Sequence, residues 1–265
     1  MMFESLAVNA AILLILVLIQ WAISVKIKDV SFIDAFWGAG MGVLAVTSWL
    51  QLETPGALAT LIMVMTAAWG FRLGIYLFRR WRAHGEDKRY AAILKKDRAA
   101  GRFAQAALTK VWGLQMVLLF MVSSPAQVGI LASSAPAPLT GLAWVGLSIY
   151  AVGIFFEWVG DWQLARFKAD PANQGKVLDS GLWAYTRHPN YFGDFAAWWG
   201  IWLVCASAGW GYALATIAGP LFLSFTLTKW SGAALLEKGM SQSKGDKYAA
   251  YQKRVSAFFP LPPKN

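Results

Sequence analysis

Two groups of residues in this chain have the types and spacing to do chemistry. One is the stretch "TRHPNYFGD" over 186–194, which sets Arg187, His188, Asn190, Tyr191 and Asp194 ahead of the apolar run "FAAWWGIWLVC". Pro189 suits the first turn of a helix, where its missing N–H costs nothing. A helix starting there turns its positive end toward an anion such as phosphate, and Arg187 adds a full charge. His188 adds a donor. Arg187, Tyr191 and Asp194 fall on one stripe, and Asn190 and Asp194 lie four apart. The pattern offers an anion grip with an amide–carboxylate pair one turn deeper. It suits a ligand with phosphates at a membrane surface and a less charged polar group inside.

The other group is Glu157 and Asp161 in "FFEWVGDWQLARF". Four apart, they share a helix face. Two carboxylates there repel unless they bridge donors, share a proton or bind a cation. Arg166 and Lys168 follow them. No HExxH or other inward histidine set accompanies the pair, so no metal is expected; a polyhydroxylated ligand or a pairing Arg fits better. Further upstream, Asp34 lies in "SFIDAFWGAGMG" beside Trp37 and small residues, and Arg72 and Tyr76 are one turn apart in "AAWGFRLGIY". An ionisable group inside an apolar span is costly unless paired. Asp34 is an interhelical hydrogen-bonder or a functional acid. Arg72 partners Asp34, holds a ligand anion, or snorkels to the interface.

The elements that position these groups are membrane helices. Of the 265 residues, 57% are hydrophobic and only 14% charged, with 15 Trp. That is well below the charged fraction of a soluble domain, about 25%. Seven apolar runs approach the length needed to cross a bilayer, at about 6–25, 32–51, 57–78, 111–132, 139–163, 190–208 and 211–229. The first has no basic region before it and no small-residue cleavage site after it, so it reads as a retained helix. The basic residues collect in "KIKD", in 79–110, in 164–189 and in the tail, whereas "LETPG", "SSAPAP" and "SAGWG" carry none. With seven spans this places the N-terminus outside and the C-terminus in the cytoplasm. The net charge of +10 is explained by those loops rather than by nucleic acid. The single Cys205 permits no intrachain disulfide and reads as a packing residue. The tail "DKYAAYQKRVSAFFPLPPK" alternates charge and aromatics and suits the membrane surface. The fold class expected is all-α, a single polytopic membrane domain.

"SGLWAYTRHPNYFGD" over 180–194 closely resembles the C-terminal signature of the steroid 5α-reductase and sterol Δ14/Δ7-reductase superfamily. The tail pieces "LLEK", "GDKYAAYQKRV" and "FFP" are similar too, and "SFIDAFWG" and "WGFRLGIYLFRRWRAHGEDKRY" resemble its bacterial, DUF1295-like branch. The resemblance implies a reductase of the bacterial inner membrane. It would bind NADPH from the cytoplasm and reduce a carbon–carbon double bond in a steroid-, sterol- or other lipid-like substrate. Matched residue by residue, Asp161, Arg187, His188, Asn190, Asp194, Glu237 and Tyr251 are implied cofactor contacts. Glu157 stands where the steroid enzymes have Asn, and Tyr191, Arg166 and Lys168 lie beside the matched positions. Residues 1–110 would form the substrate side and 111–265 the NADPH side. The enone-binding Gln-Glu pair of the steroid enzymes has no adjacent match in "SWLQLETPG", where Gln51 and Glu53 are separated. The Asp34 and Trp37 region takes that place. Their third-span Tyr aligns with Trp69, a hydrogen-bond donor but not an acid, with Tyr76 as a substitute. The expected catalytic set is therefore Asp34, Trp69, Arg72 and Tyr76.

Two other functions fit parts of the pattern. Membrane S-adenosylmethionine-dependent methyltransferases of the isoprenylcysteine and phospholipid type share a similar helix start and an acidic tail motif. Asn190 after Pro189, Asp194 after Gly193 and the lone Glu237 in "LLEKG" favour reduction. A lipid-binding or transport protein would use paired acids as a proton relay, but no repeated halves are seen. The partners expected are a lipophilic small molecule and the bilayer.

Overall fold

A backbone in hydrocarbon must satisfy its polar groups internally, which a helix does along its own length. The computed structural model, which describes residues 2–134, 137–230 and 232–264, is helical throughout, without a strand among the described residues. In order, the helices are α1 (Met2–Ile27), α2 (Ile33–Leu50), α3 (Ala57–His84), α4 (Lys88–Ala99) and α5 (Phe103–Ala106). A π-helical turn, Ala107–Trp112, carries α5 into α6 (Gly113–Val122), followed by α7 (Ser124–Leu131) and α8 (Gly141–Ala169). The rest are α9 (Pro189–Ala206), α10 (Trp210–Thr216), α11 (Ala218–Phe225), α12 (Ala233–Lys244) and α13 (Asp246–Arg254).

Among the described residues, six helical runs are long and apolar enough to cross a membrane: α1, α2, α3, Phe103–Val122, α8 and Trp210–Lys244. The chain is a polytopic helical membrane protein. The sequence suggested seven spans; the difference is α9. Its 18 residues include Pro189, Asn190, Tyr191 and Asp194, which dilute the apolar run behind them. The run expected at 111–132 begins earlier and breaks at Ser123, because Pro125 cannot donate into a continuing helix. Helix α3 extends past the expected residue 78 into the basic segment and stops at Gly85, whose φ of 72° and ψ of −151° favour glycine.

The chain divides into two compact units. Unit 1 comprises Met1–Thr140 and Val204–Gly219, and unit 2 comprises Gly141–Leu203 and Pro220–Asn265. Within unit 1, α2 and α3 touch backbone to backbone. A Cβ built on Gly38 would lie 2.8 Å from the Gly70 carbonyl oxygen, and one on Gly74 would lie 2.9 Å from the Ala39 Cβ. Small residues on both helices permit this approach, as is common in membrane bundles. Leu13, Met41, Leu44, Ile62, Met65, Trp112, Leu119 and Ile130 fill the core around the pair.

Unit 1 also buries a neutral polar network. The Asn9 amide donates to Ser48 Oγ at 2.7 Å and Gln127 Oε1 at 2.9 Å. Thr47 Oγ1 and Gln51 Nε2 both donate to Asn9 Oδ1 at 2.9 Å. Gln127 passes the chain on to Ser123 Oγ at 2.8 Å. These amides and hydroxyls satisfy one another, so the network ties α1, α2 and α7 together without a buried charge.

Unit 2 is built on a second glycine-packed pair, α8 and α9. Gly146, Gly153 and Gly160 recur every seven residues on α8, and Gly193 and Gly200 do so on α9. A Cβ on Gly200 would lie 2.6 Å from the Gly146 carbonyl oxygen, and one on Gly153 would lie 2.7 Å from that of Gly193. The tail closes on the start of α9. Phe258 and Phe259 pack edge-on against Phe192 and Phe195, with ring centroids 5.6 to 6.3 Å apart. Thr186 and Ser256 form an isolated parallel bridge.

Candidate functional site

The tight α8–α9 seam decides what the polar residues of unit 2 meet. At its end, Gly160 faces the first turn of α9: a Cβ there would lie 3.1 Å from Pro189 Cγ and 3.2 Å from the Asn190 nitrogen. That approach brings the two sequence groups together. Asn190 Nδ2 donates to Asp161 Oδ1 at 3.1 Å. One turn deeper, a Cβ on Gly193 would lie 2.7 Å from Glu157 Cβ, so Glu157 packs over the glycine preceding Asp194. Glu157 and Asp161 are buried, and Asn190 and Asp194 half-buried.

A second cluster is built on Arg187 and His188. Glu237, on α12, accepts from Arg187 Nε at 2.7 Å and lies 3.2 Å from His188 Nε2. The same guanidinium donates from Nη1 to the carbonyl oxygens of Val255 at 2.8 Å and Gln252 at 3.2 Å. Gln252 Nε2 donates back to Glu237 Oε2 at 3.2 Å. The Tyr191 ring stacks on His188, with planes 10° apart. Two sequence-distant segments and the tail are thus locked to the start of α9.

The entrance to α9 is capped from within. The Tyr191 N–H donates to Asn190 Oδ1 at 3.1 Å, the His188 N–H to Thr186 Oγ1 at 3.3 Å, and the Arg187 N–H to the Ser256 carbonyl at 2.9 Å. With Arg187 also turned to Glu237, the groups expected to grip an anion are engaged inside the protein. Exposed positive charge lies instead on Arg166 and Lys168, at the end of α8 beyond Asp161. The Arg166 guanidinium sits 5.6 Å from the centroid of the Trp162 ring. Tyr251 is a brace: its hydroxyl donates to the Trp183 carbonyl at 2.6 Å. Burial, with the Glu237 carboxylate nearby, pushes the neighbouring Tyr248 phenol up to about 12.

The residues expected to act on substrate lie in unit 1. Asp34 opens α2, and its partners come from α4: Arg89 Nη2 donates to Oδ2 at 2.6 Å and the Tyr90 hydroxyl to Oδ1 at 2.7 Å. Arg72, one of the partners that the sequence leaves open for Asp34, is not among them. Burial and the Asp34 carboxylate together push the Tyr90 phenol well above its ordinary range. Asp34 thus fastens α4 to α2. Trp69 is buried on α3, close to the glycine contact with α2. Arg72 lies over the Tyr76 ring, 5.4 Å from its centroid.

Several residues of these clusters carried no sequence signal. The Gln252 amide donates to Glu237, the Trp183 carbonyl accepts from Tyr251 and the Thr186 hydroxyl donates to the Phe258 carbonyl, contacts between segments distant in the chain that leave no spacing to read. Gln163 holds the turn before α9 by accepting the Leu182 N–H at 3.0 Å. Arg89 and Tyr90 were legible only as part of a basic segment.

Residues 20–255 match the family described as "Protein of unknown function (DUF1295)", and the chain belongs to that family. It is also similar to "Uncharacterized protein C594.04c" of Schizosaccharomyces pombe, at 22% identity over 91% of this chain and 76% of that protein. No solved structure matches.

Proposed function

We propose that this protein is a membrane-embedded, NADPH-dependent reductase of a carbon–carbon double bond in a lipophilic substrate. The observation that carries the reading is the meeting of Asp161, Asn190, Arg187, His188 and Glu237 around the first turn of α9. Ionisable groups clustered inside an otherwise apolar helical protein mark functional sites more often than structural ones. The motif around them resembles the cofactor signature of the steroid 5α-reductases, which is where the reaction class comes from.

The donor set fits the cofactor. The Asp161–Asn190 pair offers an acceptor and an amide, which suit ribose hydroxyls or a carboxamide. Arg166 and Lys168 offer positive charge, which suits phosphates. NADPH, when bound, supplies the hydride. The protein's share is placement. Asp161 is oriented by Asn190, and the α8–α9 seam fixes both backbones. Glu237 neutralises Arg187 and orients His188, so the entrance holds its shape before a ligand arrives.

Equilibrium binding to the detergent-purified protein tests this. NADPH is expected to bind saturably and to be displaced by NADP⁺, while S-adenosylmethionine leaves the signal unchanged. Saturable binding of S-adenosylmethionine without NADPH binding would replace the reductase by a methyltransferase.

A further inference from the structure

The basic stretch that runs from the last turns of α3 through α4 takes no part in the proposed function. It holds three acids, and each is engaged locally. Glu86 pairs with Arg98, Asp87 with Arg89 at 2.9 Å, and Asp97 with Lys110 at 2.7 Å and Arg102 at 3.7 Å. Arg79, Arg80, Arg82, Lys88, Lys95 and Lys96 are left exposed, and none forms an ion pair among the described residues. The charges are arranged by the fold. On α4, Tyr90, Leu94 and Asp97 share the buried face. Lys88, Lys95 and Lys96 project from the opposite face with Ala92 and Ala99. The apolar side chains Phe78 and Ile93, 47% and 52% exposed, flank the cations. Asp34 fixes this platform through Arg89 and Tyr90, directly beyond the end of a helix long enough to span a bilayer.

We infer that this face binds anionic phospholipid headgroups of the leaflet at which α3 ends. Six exposed cations outside the ion pairs of this segment, with two exposed apolar side chains, match a surface of phosphodiesters above acyl chains. A like-charged or zwitterionic surface offers no such complement. Each cation near an anionic leaflet strengthens attachment by roughly fivefold, and the attraction is screened within about 10 Å at moderate salt. The inference is independent of the proposed reaction.

The test uses the full-length protein in an uncharged detergent. Thermal melting is followed while phosphatidylglycerol–phosphatidylcholine micelles, phosphatidylcholine micelles or inorganic phosphate are added. Phosphatidylglycerol is expected to raise the melting temperature saturably, and the other two are not. Replacing Arg80, Lys88, Lys95 and Lys96 by Gln is expected to raise the half-saturating phosphatidylglycerol concentration at least about tenfold. Melting in phosphatidylcholine should stay unchanged, which controls for folding. If that variant melts early there, the Lys95→Gln/Lys96→Gln pair carries the test, with a smaller shift in the same direction. Equal stabilisation by phosphatidylcholine or by inorganic phosphate, or an undiminished response in the folded variant, overturns the inference.

Discussion

Units 1 and 2 are each organised by a glycine-packed helix pair, yet the pairs bring different chemistry with them. The α2–α3 contact in unit 1 is accompanied by Asn9, Ser48, Gln127 and their neighbours, neutral groups that satisfy one another. The α8–α9 contact in unit 2 sets Glu157 and Asp161 against Asn190 and the glycine before Asp194. Neutral amides suffice to fasten helices, and they do so without the desolvation penalty of a charge. Buried carboxylates are a costly way to obtain the same cohesion. The contrast fits cohesion as the task of the polar network in unit 1, and it is in unit 2 that the proposed function places ligand chemistry.

The seams themselves offer the largest effect. Gly193→Leu would drive a side chain into the Gly153 carbonyl, where even a Cβ would lie 2.6 Å away. The neighbour is backbone and cannot yield cheaply, so a loss of about 3 kcal/mol or more is expected. Gly38→Leu should cost a similar amount in unit 1, where the obstacle is the Gly70 carbonyl at 2.8 Å. Thermal melting in detergent reads both. If either variant melts like the wild type, that seam is not the organising contact of its unit.

The next effect belongs to unit 2. Removing the carboxylate in Glu237→Ala leaves the guanidinium of Arg187, only 10% exposed, without its acidic partner. A cost of about 2–3 kcal/mol is expected, below the full penalty for breaking a buried pair because Glu237 is 22% exposed. The proposed function adds a second outcome, a weaker affinity for NADPH. Glu237→Gln, which keeps an acceptor but loses the charge, should recover part of both. A variant as stable as the wild type would show that Arg187 is held by the tail carbonyls alone.

These contacts also mark how far the sequence could be read. The apolar runs located the helices, because a span must be long and apolar whatever it packs against. The break of the 111–132 run at Ser123 falls inside an uncharged, largely apolar stretch, and α3 runs on to His84 through basic residues, so apolar content alone marks neither boundary. Asp161 and Asn190 were each recognisable as misplaced polar residues. Their bond was not, because it depends on the relative register of two helices. The seven-residue glycine spacing on α8 and α9 is that register written in the sequence. Asp34 shows the opposite case. Its oddity as an acid at the head of α2 was visible, but its partners lay 55 and 56 residues away in a segment read only as basic.

A double dissociation tests the comparison at intermediate size. Asn9→Ala would strand partners in Ser48, Gln127, Thr47 and Gln51, at about 1–3 kcal/mol. It should leave NADPH affinity unchanged. Asn190→Ala removes one half-buried donor from Asp161, with a smaller stability loss of about 1 kcal/mol, and should weaken NADPH binding about tenfold. Melting temperature and cofactor titration on the same two preparations give the answer. Equal effects of the two variants on NADPH affinity would dissolve the distinction between a cohesive and a chemical network.

The smallest effect concerns charges outside both seams. The hydrogen bond from Lys110, with lesser help from Arg102, holds the Asp97 carboxyl below the usual carboxylate range. A carboxyl whose folded value is depressed contributes stability that is complete above its ordinary value of about 4. That contribution is lost as pH falls from there through the folded value. Melting temperatures should therefore decline in acid, and Asp97→Asn should make the decline shallower while lowering stability slightly at neutral pH. The double variant Asp97→Asn/Lys110→Met should regain part of the neutral-pH loss, because no unpaired cation is left behind. If the single and double variants decline in acid as steeply as the wild type, Asp97 is not one of the groups that acid titrates out of unit 1.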